Sequence, residues 1–244
     1  MPANRLFIDG DIRSGERLWL SGDAAHYVGR VLRLRPDSKL TVFDGRGGEY
    51  AATVVAFRKR QVLISIGDKS EPVAESPLGI HLLQSVSRGD RMDLVVQKAT
   101  ELGVWRISPV LSEFSVVRLD TDRAQKKMAH WARVAQSACE QCGRNKVPQI
   151  DEPVEFRNWL GDNLSSDATR LLLKPLATES LARLARPASE VQLLIGPEGG
   201  FSDNEISAAT GAGFVAVSIG PRILRTETAA LAAISILQSR FGDL

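Results

Sequence analysis

Val191-Gln192-Leu193-Leu194-Ile195-Gly196-Pro197-Glu198-Gly199-Gly200-Phe201-Ser202 is the stretch on which the reading of this 244-residue chain turns. A short, mostly apolar run that ends in turn residues predicts a buried strand. Glycines in the turn let main chain come close to a ligand. Ser202 or Asp203 is a good N-cap for a following helix, with Glu205 favourable in its first turn. These residues alone leave two readings open: a loop that cradles a ligand, or a helix-initiating turn made of ordinary punctuation.

The next strand, Phe214–Ile219, ends in a second Gly-Pro loop, Gly220-Pro221-Arg222-Ile223-Leu224-Arg225-Thr226-Glu227-Thr228-Ala229. An N-cap at Thr226 and a first-turn acid at Glu227 explain two of its residues as helix signals. They do not explain Arg222 and Arg225, because the positive end of the helix dipole disfavours cations. Those two arginines point to an anionic partner.

Upstream of these loops strands and helices alternate. Strands are expected at Ile80–Val86, Arg106–Val110, Arg170–Lys174 and Val191–Ile195. Helices are expected at Arg91–Leu102, Asp122–Gln141, Val154–Leu160, Asp203–Thr210 and Thr226–Phe241. This rhythm predicts an α/β fold with a mostly parallel sheet, whose ligands sit beyond the carboxyl ends of its strands. The first third has another texture. Leu18–Leu20, Lys39–Phe43, Glu49–Phe57 and Gln61–Ile66 read as short strands separated by turns, with one helix near Asp23–Arg33. That pattern suggests a small β-barrel. Residues 69–78, with two prolines, read as a linker, so the expected division is 1–72 and 73–244.

Composition is that of an ordinary globular protein, with 43% hydrophobic and 25% charged residues. No apolar stretch nears the roughly 20 residues that span a bilayer, and the N-terminus has no signal-peptide core. A cytoplasmic protein with no membrane partner is expected. The net charge of +2 is unevenly spread: residues 1–74 hold 12 Lys and Arg against 9 Asp and Glu. Arg30, Arg33 and Arg35 form one basic cluster, and Arg58-Lys59-Arg60 another; such clusters can neutralise phosphates. The 122–141 helix adds Arg123, Lys126 and Lys127 and runs into Glu140-Gln141-Cys142-Gly143-Arg144-Asn145-Lys146. Cys139 and Cys142 are the only cysteines. One CxxC inside a helix, with no histidine at ligand spacing, is read as two reduced thiols and no metal site. GxxxxGK[ST], GxGxxG and GxSxG are all missing, which argues against P-loop, dinucleotide-binding and α/β-hydrolase chemistry.

In order along the chain, Gln97–Val104 (QKATELGV), Ala138–Pro148 (ACEQCGRNKVP), GPEGGFS and IGPRILRTETA resemble the RsmE family of bacterial 16S rRNA methyltransferases, of the SPOUT class. The stretch HYVGRVLRLRPDSKLTVFDGRGGEY resembles that family's N-terminal domain. The resemblance implies a PUA-like RNA-binding β-barrel over 1–72 and a SPOUT α/β methyltransferase domain with a C-terminal trefoil knot over 73–244. It implies S-adenosyl-L-methionine (SAM) as cofactor, N3 of a uridine in 16S rRNA of the 30S subunit as target, and a homodimer. Nothing in periodicity or spacing points to the knot, which is rare.

The cofactor residues it implies are Leu172, Leu173, Lys174, Ile195, Gly196, Pro197, Glu198, Gly199, Gly200, Ile219, Gly220, Ile223, Leu224, Arg225, Thr226, Thr228 and Ala229. Arg225 or Arg144 is the candidate to stabilise the uracil oxyanion. Glu198 or Glu227 is the candidate to accept the N3 proton; the sequence does not choose between them. Arg30, Arg33, Arg35, Arg123, Lys126, Lys127 and Arg144 are the expected RNA contacts. Phe114 departs from the family, whose members usually carry Arg after a Ser-Glu or Thr-Glu pair at this place; Arg118 is the nearest substitute. The rivals are a SPOUT enzyme with another RNA target, a non-catalytic RNA-binding assembly factor, and a pseudouridine synthase, for which no convincing aspartate nucleophile is found.

Overall fold

Two apolar patterns build two separate cores. A computed structural model describes residues 4–72, 75–115, 120–162, 167–187 and 189–244. It divides into two compact units. One holds 1–75 together with 136–147; the other holds 76–135 and 148–244. The main break, at 75/76, falls close to the expected 72/73, and 136–147 packs with the first unit.

In the first unit the strands are β1 (Arg5–Phe7), β2 (Arg17–Leu20), β3 (Lys39–Phe43), β4 (Glu49–Arg58) and β5 (Gln61–Ser70). They form one sheet in the order β1-β3-β4-β5-β2. Only β1 and β3 run parallel. Alternation in β4 and β5 puts Ala52, Val54, Val62, Ile64 and Ile66 into the core with Leu6, Val28 and Leu40. β5 runs to Ser70, into the stretch read as a linker. The helix expected over Asp23–Arg33 is broken. α1 covers Gly22–His26 only, and a π-turn follows at Tyr27–Val31, where the Leu32 amide bonds to the Tyr27 carbonyl at 2.8 Å. Arg33, at φ 53°, ends it. A buried ionic cluster ties 136–147 to this sheet: Arg5 bonds Glu49, the Asn145 side chain and the Arg144 carbonyl, while Glu140 accepts from the Phe7 amide at 2.9 Å.

In the second unit β6 (Gly79–Ser85), α2 (Arg91–Glu101), β7 (Arg106–Leu111), α3 (Thr121–Cys142), β8 (Gln149–Ile150), β9 (Val154–Glu155), α4 (Phe156–Asp162), β10 (Thr169–Leu173), β11 (Glu179–Ser180), β12 (Glu190–Ile195), α5 (Asp203–Gly211), β13 (Val215–Ser218) and α6 (Thr226–Phe241) follow in turn. α3 belongs here up to Ala135 and to the first unit beyond. The sheet order is β11-β13-β10-β12-β6-β7-β8, with β9 also on β7, and every pair is parallel. The helix expected at Val154–Leu160 begins two residues later, because Val154 and Glu155 pair with β7. β12 is central and buried at Val191–Ile195, as its apolar run demands.

At the amino-terminal half of this sheet lies a buried polar network. His81 on β6 is 1% exposed, and its Nε2 is 2.7 Å from Ser108 Oγ. Ser108 Oγ also donates to Asp151, which accepts from Arg106 Nε at 2.8 Å. Trp105 and Trp159 pack on the imidazole. Burial, reinforced by Arg106 and opposed by Asp151, pushes the His81 pKa down to about 4. The unfolded chain binds this proton near pH 6.5 and the folded one does not. Stability is therefore complete above about pH 6.5 and falls as pH drops toward 4, by roughly 2 kcal/mol between pH 7.5 and 5. Urea unfolding followed by tryptophan fluorescence should show this loss, and His81→Asn should remove most of it.

Candidate functional site

Parallel register brings three strand ends to one level. Leu173 of β10 pairs with Ile195 of β12 and with Val217 of β13. Beyond those ends a concavity of about 450 Å³ opens, in the size range of small-molecule sites. Three loops wall it: Lys174-Pro175, Gly196–Phe201, and Ile219–Thr226 with the start of α6. Its floor is apolar, from Leu172, Ile195, Ile206, Leu224 and Ala229. The two ambiguous Gly-Pro turns are thus neighbours around one cavity.

Of the expected cofactor residues, Leu172, Leu173, Lys174, Ile195, Gly196, Pro197, Glu198, Gly200, Ile219, Gly220, Ile223, Leu224, Arg225, Thr226 and Ala229 all lie on the wall. Gly199 and Thr228 are not among its lining residues. A Cβ on Gly199 would come within 3.2 Å of Phe114, so that side of the glycine faces another residue. Thr228 sits off the 225/226/229 face of the helix. Pro175, Phe201 and Ile206 join the wall without having been expected. Arg222 joins it too, as one of the two arginines that helix capping left unexplained.

The N-cap of α6 is Arg225, with no side-chain cap bond, and not Thr226. Thr226 is buried, and its hydroxyl works elsewhere. It donates to the Gly196 carbonyl at 2.7 Å and accepts from Gln84 Nε2 at 2.9 Å. Gln84 is fully buried near the end of β6. One hydroxyl therefore joins both Gly-Pro loops to the sheet. On the other flank, Ser202 and Glu205 form a reciprocal capping box at the start of α5. The second oxygen of Glu205 accepts from the Glu113 amide at 2.9 Å, which fixes the turn that carries Phe114.

Glu198 and Glu227 part company here. Glu198 is on the wall, ion-paired with Arg91 of α2. It also borders a second concavity lined by Arg88, Gly89, Asp90, Arg91 and Leu94. Glu227 does not line the cavity; its Oε2 is buried with no hydrogen-bond partner among the described residues. Lys174, Arg222 and Arg225 are exposed cations on the wall.

Arg144 is not among the residues that line the cavity. It belongs to the first unit and is 4% exposed, with Nη2 2.8 Å from Glu75 Oε2. A guanidinium so enclosed is part of the packing and does not offer itself to phosphate. Arg30, Arg33, Arg35, Arg123, Lys126 and Lys127 are all exposed. Arg123 pairs with Asp120, and Lys127 lies over the Trp131 ring. Arg118 falls outside the described residues. Both cysteines are free; burial pushes the Cys139 thiol up to about 12. No group of three potential metal ligands occurs among the described residues, and no described helix is long and apolar enough to cross a membrane.

An RNA methyltransferase domain model matches residues 74–238, and an RNA methyltransferase PUA domain model matches 20–67. The chain is 37% identical to the ribosomal RNA small subunit methyltransferase E of Buchnera aphidicola subsp. Schizaphis graminum, over 98% of this chain and 97% of that one. It belongs to the ribosomal RNA small subunit methyltransferase E family. A Legionella pneumophila structure in complex with SAM superposes with a TM-score of 0.94 at 41% identity, over the full length of both chains. The family's enzyme from Neisseria gonorrhoeae, bound to S-adenosyl methionine, superposes at 0.92 with 38% identity over 99% of both.

Replacing Thr226 by Val leaves the Gly196 carbonyl and the Gln84 amide each short of a partner. Thr226→Val should cost about 2 kcal/mol of unfolding free energy in urea. Thr226→Ser, which keeps the hydroxyl, should cost well under half of that.

Proposed function

We propose that this chain transfers the methyl group of S-adenosylmethionine to N3 of a uridine in 16S rRNA of the small ribosomal subunit. The observation that carries the reading is the cavity at the level ends of β10, β12 and β13, walled by both Gly-Pro loops in a chain whose near relatives hold SAM. The residues suit that cofactor. An apolar floor of Leu172, Ile195, Leu224 and Ala229 accepts a flat adenine, and glycine-rich main chain can approach its edge. Lys174, Arg222 and Arg225 supply cationic partners for a carboxylate or a phosphate. The sulfonium supplies an electrophilic methyl group and leaves as a neutral thioether.

N3 of uridine must lose its proton before its lone pair can take the methyl group. Glu198 is the carboxylate placed for this, directly or through a water, because it lies on the wall and Glu227 does not. Arg225, also on the wall, stabilises the negative charge that develops on the uracil oxygens. RNA is held by the basic residues of the N-terminal unit and by Arg123, Lys126 and Lys127, with the target base extruded into the site.

The same reading includes a closed PUA-like barrel, a trefoil knot, a homodimer and a cytoplasmic site of action. The strand order supports the knot. β13 and β12 flank β10, yet α6, which follows β13, packs on α2, which follows β6 on the far side of β12. The last segment must therefore recross the ends of β10 and β12.

The test is transfer of labelled methyl from SAM to intact small subunits, naked 16S rRNA and tRNA, with mapping of the product base. A single N3-methyluridine in 16S rRNA is the expected product. SAM binding without methyl transfer to either 16S substrate would instead favour the assembly-factor reading. Glu198→Gln should lower kcat at least about 100-fold with SAM affinity little changed, while Glu227→Gln stays within about threefold. Equal kcat for wild type and Glu198→Gln would remove the carboxylate from the mechanism.

A further inference from the structure

The N-terminal unit carries a second groove, of about 600 Å³, that none of the catalytic steps uses. It lies between the α1/π-turn segment and the tip of the β4–β5 hairpin. We propose that it binds a single-stranded RNA segment, with one base stacked on Phe57 and the flanking phosphates on Arg30, Lys59 and Arg60. The proposal rests on the RNA-binding half of the function given above and adds a site and a mode to it.

Phe57 is a large aromatic residue left 42% exposed. Its ring edge rests on Gly29, where even a Cβ would come within 3.3 Å. The π-turn, an irregular geometry frequent at functional sites, places that glycine. Phe57 is therefore seated on one side and open on the other, as a stacking platform must be. The wall around it is cationic: Arg30, Lys59 and Arg60 line it, and no carboxylate does. Among the described residues none of Arg30, Lys59 and Arg60 is in an ion pair. Lys59 occupies the left-handed region, at φ 53°, where glycine would be unstrained. Strain kept at a groove by a cationic residue argues that its side chain is used.

Unpaired cations hold phosphates, and an open aromatic face holds a base. A duplex hides its base faces, so this pairing of groups fits an unpaired segment and reads no particular sequence. The site is distinct from the SAM cavity, whose lining lies wholly in the second unit.

The experiment is fluorescence polarisation of the full chain with labelled hexauridylate and with a short RNA duplex, across a salt series. Phe57→Leu should weaken hexauridylate binding about tenfold, and Phe57→Trp should match or exceed wild type. Arg30→Gln and Arg60→Gln should each flatten the salt slope by about 0.7. Far-UV circular dichroism and urea unfolding of every variant check that the N-terminal unit is intact. Unchanged binding by Phe57→Leu, or a duplex bound as tightly as hexauridylate, overturns the proposal. Methyl transfer by wild type separates the two claims. If it occurs while Phe57→Leu binds RNA normally, only the groove is wrong. If it is absent while Phe57→Leu weakens binding, the groove stands and the enzymatic reading falls.

Discussion

The hydroxyl of Thr226, shared between the Gly196 carbonyl and the Gln84 amide, is the joint of the catalytic unit. The chain leaves β13 near one side of the sheet and must return to α2 beyond β12. Thr226 is the first helical residue after that crossing. Its two bonds fix where α6 starts relative to the β12 loop and the end of β6. The cavity is what this fixing leaves: Arg225 and Ala229 face it from the start of the helix, and Gly196, Pro197, Glu198 and Gly200 from the loop. A buried amide such as Gln84 is costly unless bonded, so an error in the crossing would strand both Gln84 and the Gly196 carbonyl. Further along, α6 is tied again by Gln238, which bonds Leu102 O and Ser76 Oγ from complete burial.

The sheet keeps its polar groups apart by purpose. Toward its amino-terminal half, His81, Ser108, Arg106 and Asp151 bond to one another among tryptophans. Toward its carboxyl end the charged groups Lys174, Glu198, Arg222 and Arg225 border a cavity and are largely exposed. Serine, histidine and aspartate in contact would suit nucleophilic chemistry in a cleft, but these are enclosed and their histidine is held neutral by burial. Residue type alone does not make a site. Access, which follows from strand direction in a parallel sheet, decides.

That difference marks what the sequence could tell. Apolar runs and caps located the long elements closely: α6 runs over Thr226–Phe241 as its pattern required, and α2 starts at Arg91. Two-residue strands such as β8 and β9 carry no periodicity and were invisible. The helix expected near Asp23–Arg33 changes from α to π winding at Tyr27, a difference that an apolar pattern does not carry. Thr226 followed by Glu227 matches the capping pattern, yet the bond partners of Thr226 are 30 and 142 residues away. Arg144 read as an RNA contact because its neutralising Glu75 is 69 residues distant and carries no local signal. Pro175, Phe201 and Ile206 reach the wall only through tertiary convergence. Family resemblance supplied the cofactor; the level strand ends explain why those loops meet around it.

Phe114 joins the turn after β7 to the loop after β12. Its side chain is half exposed and abuts Gly199, on a turn held by Ser112 and Ser115 and tied to α5 through Glu205. The Glu198-Gly199 segment is thus braced twice, by apolar contact at Gly199 and by the ion pair from Arg91 to Glu198. Phe114 supplies the apolar contact, and Arg91 is the ion-pair partner of Glu198. The Glu198 charge is therefore met from α2, and the turn after β7 contributes shape.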